Sequence, residues 1–173
     1  KNQLRLEITG KNVFPYTVAY SYQTLKPPSA EKCPVALKTS LSKTDAAEGE
    51  QVQLSAVVEN KSGQGQGMTV AILGLPAGLT LPEDMQQLKD MARLRNNDTE
   101  PGLISAWELR GSRELVLYWR DLAPNKKIEV NLSLICRVPG EYRGPANRAY
   151  LYYNADHKCW TDPLGIGIKA KAE

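Results

Sequence analysis

His157 and Cys159 stand two residues apart in HKCW, and an imidazole beside a thiol is the pairing from which cysteine nucleophiles are built. In an extended chain the next-but-one side chain lies too far along for the directed hydrogen bond that such activation needs. His157 is the single histidine, so a histidine-ligated metal would need other donors, and the nearby Asp156 and Asp162 do not make up a binding pattern. The sequence therefore gives no catalytic residue, no metal site and no cofactor, and an enzyme is not the expectation.

Cys33, Cys136 and Cys159 are an odd set whose spacing fits no zinc or redox motif, which leaves room for at most one internal disulfide. Cys136 closes the alternation Val130, Leu132, Leu134, Cys136 and reads as a buried free thiol. Cys33 and Cys159 lie outside the strongest apolar runs and are the candidate disulfide pair. Gly63, Gly65 and Gly67 in KSGQGQG resemble a nucleotide loop only superficially, because no P-loop lysine and serine follow, and a flexible hairpin tip is expected there. Three glycosylation sequons begin at Asn60, Asn97 and Asn131, of which Asn97, in a loop, is the best placed.

The elements that carry these residues are mostly strands. The 173 residues are 42% hydrophobic and 24% charged, enough for one sizeable core, and a net charge of +3 is too small for a nucleic-acid footprint. No apolar run approaches the ~20 residues of a membrane-spanning helix, and KNQLRLEITG lacks the layout of a signal peptide. Leu4, Leu6 and Ile8 already alternate with polar residues, as do Tyr16, Val18, Tyr20 and Tyr22, so two strands are expected before the proline-rich LKPPSAEKCP and a larger protein is expected upstream. Further strands are predicted through Val35–Leu41, Val52–Val58 and Met68, Val70 and Ile72 on an inward face. More follow at Ile104–Leu109, Glu114–Trp119, Lys127–Val138, Ala146–Tyr153 and Leu164–Ile168. The segments TDAAEGE, GLPAGL, PGEYRGP and DHKCWTDP read as turns or loops between them.

LPEDMQQLKDMARLR breaks the alternation. Pro82, Glu83 and Asp84 suit a helix start, and Met85, Leu88, Met91 and Ala92 share one face, which predicts about three turns with Gln86, Gln87, Lys89 and Arg93 outward. Many short strands with Gly, Pro and Asn turns indicate an all-β, antiparallel sandwich with this one amphipathic helix packed on it. In RAYLYY, Tyr150 and Tyr152 would point to one face and Leu151 and Tyr153 to the other, which suits packing on both sides of a sheet better than an open stacking platform.

The order GMTVAILGLPAGL, amphipathic helix, ISAWELRGSRELVLYWRDL, VPGEYRGPANRAYLYY resembles the C-terminal receptor-binding domain of the alpha-macroglobulin (thioester protein) family, over about residues 34 to 160. TVAYSYQTLKPP is similar to the strand and exit linker of the CUB domain that precedes it in that family. The resemblance implies a division into residues 1–28, the end of a CUB-like domain with its linker, and 29–173, the macroglobulin receptor-binding domain. LYWRDLAP and RAYLYY are closer to bacterial-type members.

Under that resemblance the parent is a protease inhibitor in which bait cleavage releases a Cys-Gly-Glu-Gln thioester and a conformational change traps the protease. This chain carries no such thioester sequence and would be the non-catalytic terminal module exposed on activation. Its implied partners are the other domains of the parent chain, the proteases the parent traps and a clearance receptor. The implied location is extracellular, or the periplasm and cell envelope in a bacterium. The family's receptor contact uses two helix lysines four apart. Aligning on Met85 and Leu88 puts them at Pro82 and Gln86, so that contact does not carry over. Lys89 and Arg93 keep the i, i+4 spacing and are the candidate receptor or partner contact, against the plainer reading of a solvated helix face. The alternating strands alone allow a second function, an extracellular sandwich for protein interaction or adhesion.

Overall fold

The computed structural model describes residues 3, 5–11, 13, 15–93 and 100–171. Among them twelve strands and one helix follow in order: β1 (Val35–Leu41), β2 (Asp45–Ala47), β3 (Gln51–Asn60), β4 (Thr69–Gly74), β5 (Leu79–Thr80), α1 (Gln86–Ala92), β6 (Ala106–Arg110) and β7 (Glu114–Trp119). β8 (Lys127–Cys136), β9 (Gly140–Arg143), β10 (Asn147–Leu151), β11 (Asn154–Thr161) and β12 (Gly165–Lys169) complete the chain.

Two antiparallel sheets, β1-β3-β8-β5 and β11-β10-β4-β7-β6, face each other as a sandwich, and a small third sheet, β2-β12-β9, stands beside them. The third sheet is mixed, since β12 runs parallel to β2 and antiparallel to β9. The described residues are all-β with one short helix, as the patterning indicates.

The inward faces follow from the period of two. On β3, Val52, Leu54, Ala56 and Val58 are buried, and on β8 Val130, Leu132, Leu134 and Cys136 are their counterparts. Removing the apolar surface of such residues from water stabilises the fold by about 1.5–3 kcal/mol per large side chain. From the second sheet Ala71, Leu73, Leu115, Leu117, Trp119 and Ala149 meet them in one contiguous core. One lateral opening of the sandwich is closed where β1 packs on β10 and β11. The other is closed by α1, whose fully buried Leu88 joins the same core while the helix contacts β6. Ala46, Leu164, Ile166 and Ile168 extend the core into the third sheet.

The GLPAGL segment has a steric reason for its glycines. A Cβ on Gly74 would meet Pro145 O at 2.1 Å, and one on Gly78 would meet the Tyr142 ring at 2.4 Å. The chain leaves β4 under a crossing loop and returns under an aromatic ring, where only glycine fits. Buried Asn147 secures that crossing: its Oδ1 accepts from Gly74 N at 2.8 Å, while its Nδ2 donates to Thr39 Oγ1 and Asp162 O.

Several expectations are corrected. The described residues before Val35 form no strand, and Leu6, Ile8, Tyr16, Val18, Tyr20 and Tyr22 are exposed; Leu4 lies outside the described residues. Alternation marks a strand only where a neighbouring strand supplies the ladder, and within this chain none does so there. Val70 and Ile72 do not face the main core: with Val116 they form a second, smaller cluster, and Ala71 and Leu73 take the inward face, because β4 is buried on both sides. The helix begins at Gln86 rather than Pro82. Met85 before it is left-handed at φ 52°, and Asp84 Oδ1 accepts from Gln86 N, so residues 82–85 form a separate turn. Three segments read as turns contain strands: β2 within TDAAEGE, β9 within PGEYRGP and β11 across NADHKCWT. The RAYLYY strand ends at Leu151, which pairs with Asn154, so Tyr152 and Tyr153 are the exposed tip of the β10–β11 hairpin and not sheet-facing residues.

Candidate functional site

The sequence-derived candidates fall on three separate parts of the sandwich. On α1, Lys89 and Arg93 are both exposed, but Arg93 is the C-cap, with ψ 138°, so it has already left the helical path when the i, i+4 spacing would place it over Lys89. Gln87, expected outward, turns in. Its Nε2 donates to Ser133 O at 2.9 Å, and its Oε1 accepts from Ser133 N at 2.8 Å. The side-chain amide thus takes the place of a strand's peptide group on the β8 edge, continuing the short ladder that β5 begins at Ile135. A glutamine on a predicted outer helix face gives no hint of this in sequence.

His157 and Cys159 go separate ways. His157 Nδ1 pairs with Asn154 Nδ2 at 3.1 Å within the hairpin, while Cys159 packs half-buried against the main core. They do not form a nucleophile and base. Cys33 is buried beneath the same sheet edge, and its thiol donates to Val35 O at 3.3 Å and contacts Ala149 O at 3.8 Å. Ala149 is the register partner of Cys159, so Cys33 and Cys159 are brought together; all three cysteines are unbonded thiols in this structure. Burial pushes the Cys33 thiol above its ordinary value, and burial does the same to Cys136, which is in the core. Among the described residues no group of three or more His, Cys, Asp or Glu side chains gathers around a common point.

Of the three sequons, Asn60 is excluded by its environment. It is fully buried, and its Nδ2 donates to Gln64 O, Leu122 O and Ala123 O while its Oδ1 accepts from Ser62 N and Ser62 Oγ. This network and the Gln66–Leu122 bridge pin the glycine-rich loop expected to be a flexible tip. Asn131 is exposed on β8, and Asn97 lies outside the described residues.

Pattern reasoning missed the outer face of the five-stranded sheet. Register sets Tyr118, Val70 and Tyr150 in one row and Glu108, Val116, Ile72, Arg148 and Trp160 in the next. Arg148 donates to Glu114 through both terminal guanidinium nitrogens, Nη1 to Oε1 at 2.7 Å and Nη2 to Oε2 at 3.1 Å, with side chains only 16% and 23% exposed, and lies 5.3 Å over the Trp160 ring. Tyr118 Oη donates to Glu108 Oε1 at 3.0 Å, and Arg110 Nε donates to the same oxygen at 2.8 Å. The Arg110 bond, followed by that of Tyr118, holds the Glu108 carboxyl below its ordinary value. Burial, then the Glu108 contact, pushes the Tyr118 hydroxyl up. This is a lattice of aromatic and ionic side chains roofing the second cluster, visible only once strands distant in sequence are aligned.

What the molecule defines by its architecture is a β-sandwich module closed on one side by a short helix. Solved structures share that architecture. Trypsin-activated alpha-2-macroglobulin from Escherichia coli aligns over 82% of this chain with TM-score 0.61 and 14% identity, covering 11% of that protein. The native E. coli form spanning domain MG7 to the C-terminus aligns over 83% of this chain with TM-score 0.59 and 16% identity, covering 25% of it. Salmonella alpha-2-macroglobulin reacted with methylamine aligns over 82% with TM-score 0.58 and 14% identity, covering 10% of that chain. The chain therefore spans about a tenth of the first and third of these chains and a quarter of the piece that runs from domain MG7 to the C-terminus. No protein-family model matches it, and no curated protein matches it in sequence. The likeness is one of fold. Among the described residues no helix is long and apolar enough to cross a membrane.

Proposed function

We propose that this chain is the non-catalytic C-terminal module of an alpha-macroglobulin-type protease inhibitor, with residues 29–173 as the sandwich and 1–28 as the end of the preceding domain and its linker. The observation that carries the reading is the alignment of 82–83% of the chain with bacterial alpha-2-macroglobulin structures, beside the sequence resemblance over about residues 34 to 160. The native and the trypsin-activated E. coli forms align almost equally well, at TM-scores of 0.59 and 0.61, which supports a module whose fold is the same in both states. Inhibition resides in the parent, outside the cytoplasm. The module's part is to be displaced and exposed when a protease strikes, offering Lys89 on α1 and Arg93 just beyond its end as separate exposed cations to a partner.

The test uses the full-length parent. Its sequence before Lys1 is expected to contain a Cys-Gly-x-Gln motif, and trypsin added to it is expected to become covalently attached with release of one thiol per chain. A parent without the motif that leaves trypsin free in solution rejects the inhibitor reading. Binding of a defined partner by the untreated module would then favour an interaction or adhesion domain.

A further inference from the structure

The segment that leads into the sandwich is fastened to the open edge of β11. Lys26 Nζ lies 2.8 Å from Asp162 Oδ1, Ser29 Oγ donates to Trp160 O and accepts from Trp160 N, and Ala30 N donates to Lys158 O. Three residues further on, Cys33 drops beneath the sheet with its sulfur 3.8 Å from Ala149 O. Ala149 and Cys159 are directly opposed in the β10–β11 ladder, and both face the main core. In such a pair the Cα atoms stand about 4.5–5.5 Å apart, so Cys159 starts one strand spacing from the residue whose carbonyl the Cys33 sulfur contacts, and both cysteines pack on the same core. Cys136 sits on β8 of the opposite sheet, paired with Leu79 of β5.

We propose that Cys33 and Cys159 form a disulfide in an oxidising compartment, a covalent staple that fixes the lead-in segment to β11. The half-exposed Cys159 reacts first: its thiolate attacks one sulfur of a small-molecule disulfide such as oxidised glutathione, and one thiolate leaves. The Cys33 thiolate then attacks the Cys159 sulfur of the mixed disulfide and expels the second thiolate. Two electrons pass from the two cysteines to the reagent, and the two cysteine protons, relayed through solvent, end on its two departing thiolates, which leave as thiols with no net proton release. Burial of Cys33 makes this second step slow at neutral pH. Bonding them encloses most of the sandwich in one covalent loop, the arrangement in which loop-closure entropy stabilises most. A pull on the segment before residue 29 then reaches the sandwich through a covalent bond as well as through hydrogen bonds to an edge strand.

The 173-residue chain, equilibrated with oxidised glutathione, denatured without reductant and alkylated, decides the matter. The expected product carries a single alkylated cysteine, Cys136, and a linked peptide pair containing Cys33 and Cys159. Reduction is expected to lower Tm by roughly 5–10 °C. Cys136→Ser is expected to keep both the crosslink and the Tm response, whereas Cys159→Ser, at the less buried partner, loses both. Alkylation of all three cysteines after equilibration, or a crosslink that includes Cys136, overturns the proposal.

Discussion

β3 and β11 are both strands of the same sandwich, yet one is legible in sequence and the other is not. β3 lies between β1 and β8, so both its edges are hydrogen-bonded and one face is wholly buried; Val52, Leu54, Ala56 and Val58 announce it. β11 is an outer strand reading NADHKCWT, exposed at its start and half-buried thereafter. Its free edge is covered by residues 26–30, through backbone and hydroxyl hydrogen bonds and one ion pair, none of which asks for apolar side chains. A central strand is specified by what it buries, and an edge strand by what lies beside it.

The contrast can be tested by disturbing each region in turn. The largest effect belongs to the shared core: Leu132→Ala on β8, opposite Leu54, is expected to cost about 2–5 kcal/mol in urea unfolding, the usual price of an internal cavity. A loss below 1 kcal/mol there would mean the inward face is misassigned. On the outer face of the other sheet, Arg148→Ala removes a mostly shielded ion pair and the contact with Trp160, and the expected loss is about 1–3 kcal/mol. Wild-type stability in that variant would show that the roof over Val70, Ile72 and Val116 is ornamental.

Gln87→Ala leaves the N–H and C=O of Ser133 without their partner, and about 1–2 kcal/mol should disappear together with protection of the Ser133 amide in hydrogen exchange. Unchanged exchange would remove the pseudo-strand role of Gln87. Ser29→Ala, at the β11 edge, should cost only about 0.5–1 kcal/mol, yet speed exchange selectively at Trp160 N–H. The smallest effect is a pH dependence. Glu108 has a lowered carboxyl pKa in the fold, so its contribution is present above the unfolded carboxylate pKa of about 4.3 and is lost as pH falls through the folded value. Glu108→Gln should flatten the acid limb of the stability curve slightly. Cys33 and Cys136 act at the opposite end, because their raised pKa values mean stability falls as pH rises past the unfolded thiol value of about 8.5.

These pairs also show where sequence reading stops. The faces of β3 and β8 and the existence of α1 follow from periodicity, because burial acts on residues spaced by two or by three and four along one segment. β2 and β9 are too short and polar to show a period; their strand geometry comes from β12, which they flank. The assignment of Val70 and Ile72 to the inward face failed because both faces of β4 are buried and alternation carries no phase there. Cys33 and Cys159 could be singled out by elimination, but their proximity depends on Cys33 entering beneath the Ala149–Cys159 pair. Lys89 and Arg93 were legible as a spacing, and the early end of the helix at Ala92 breaks the face they were expected to share.

The functional reading turns on a sandwich that moves intact within a larger inhibitor. Hydrogen exchange followed on the full-length parent before and after trypsin addresses it most directly. The prediction is that amides of β3 and β8 stay equally protected in both states while exchange changes at the module's surface, at the Tyr152–Tyr153 hairpin tip or along α1. Loss of protection in β3 and β8 after trypsin, or no change anywhere in residues 29–173, would contradict it.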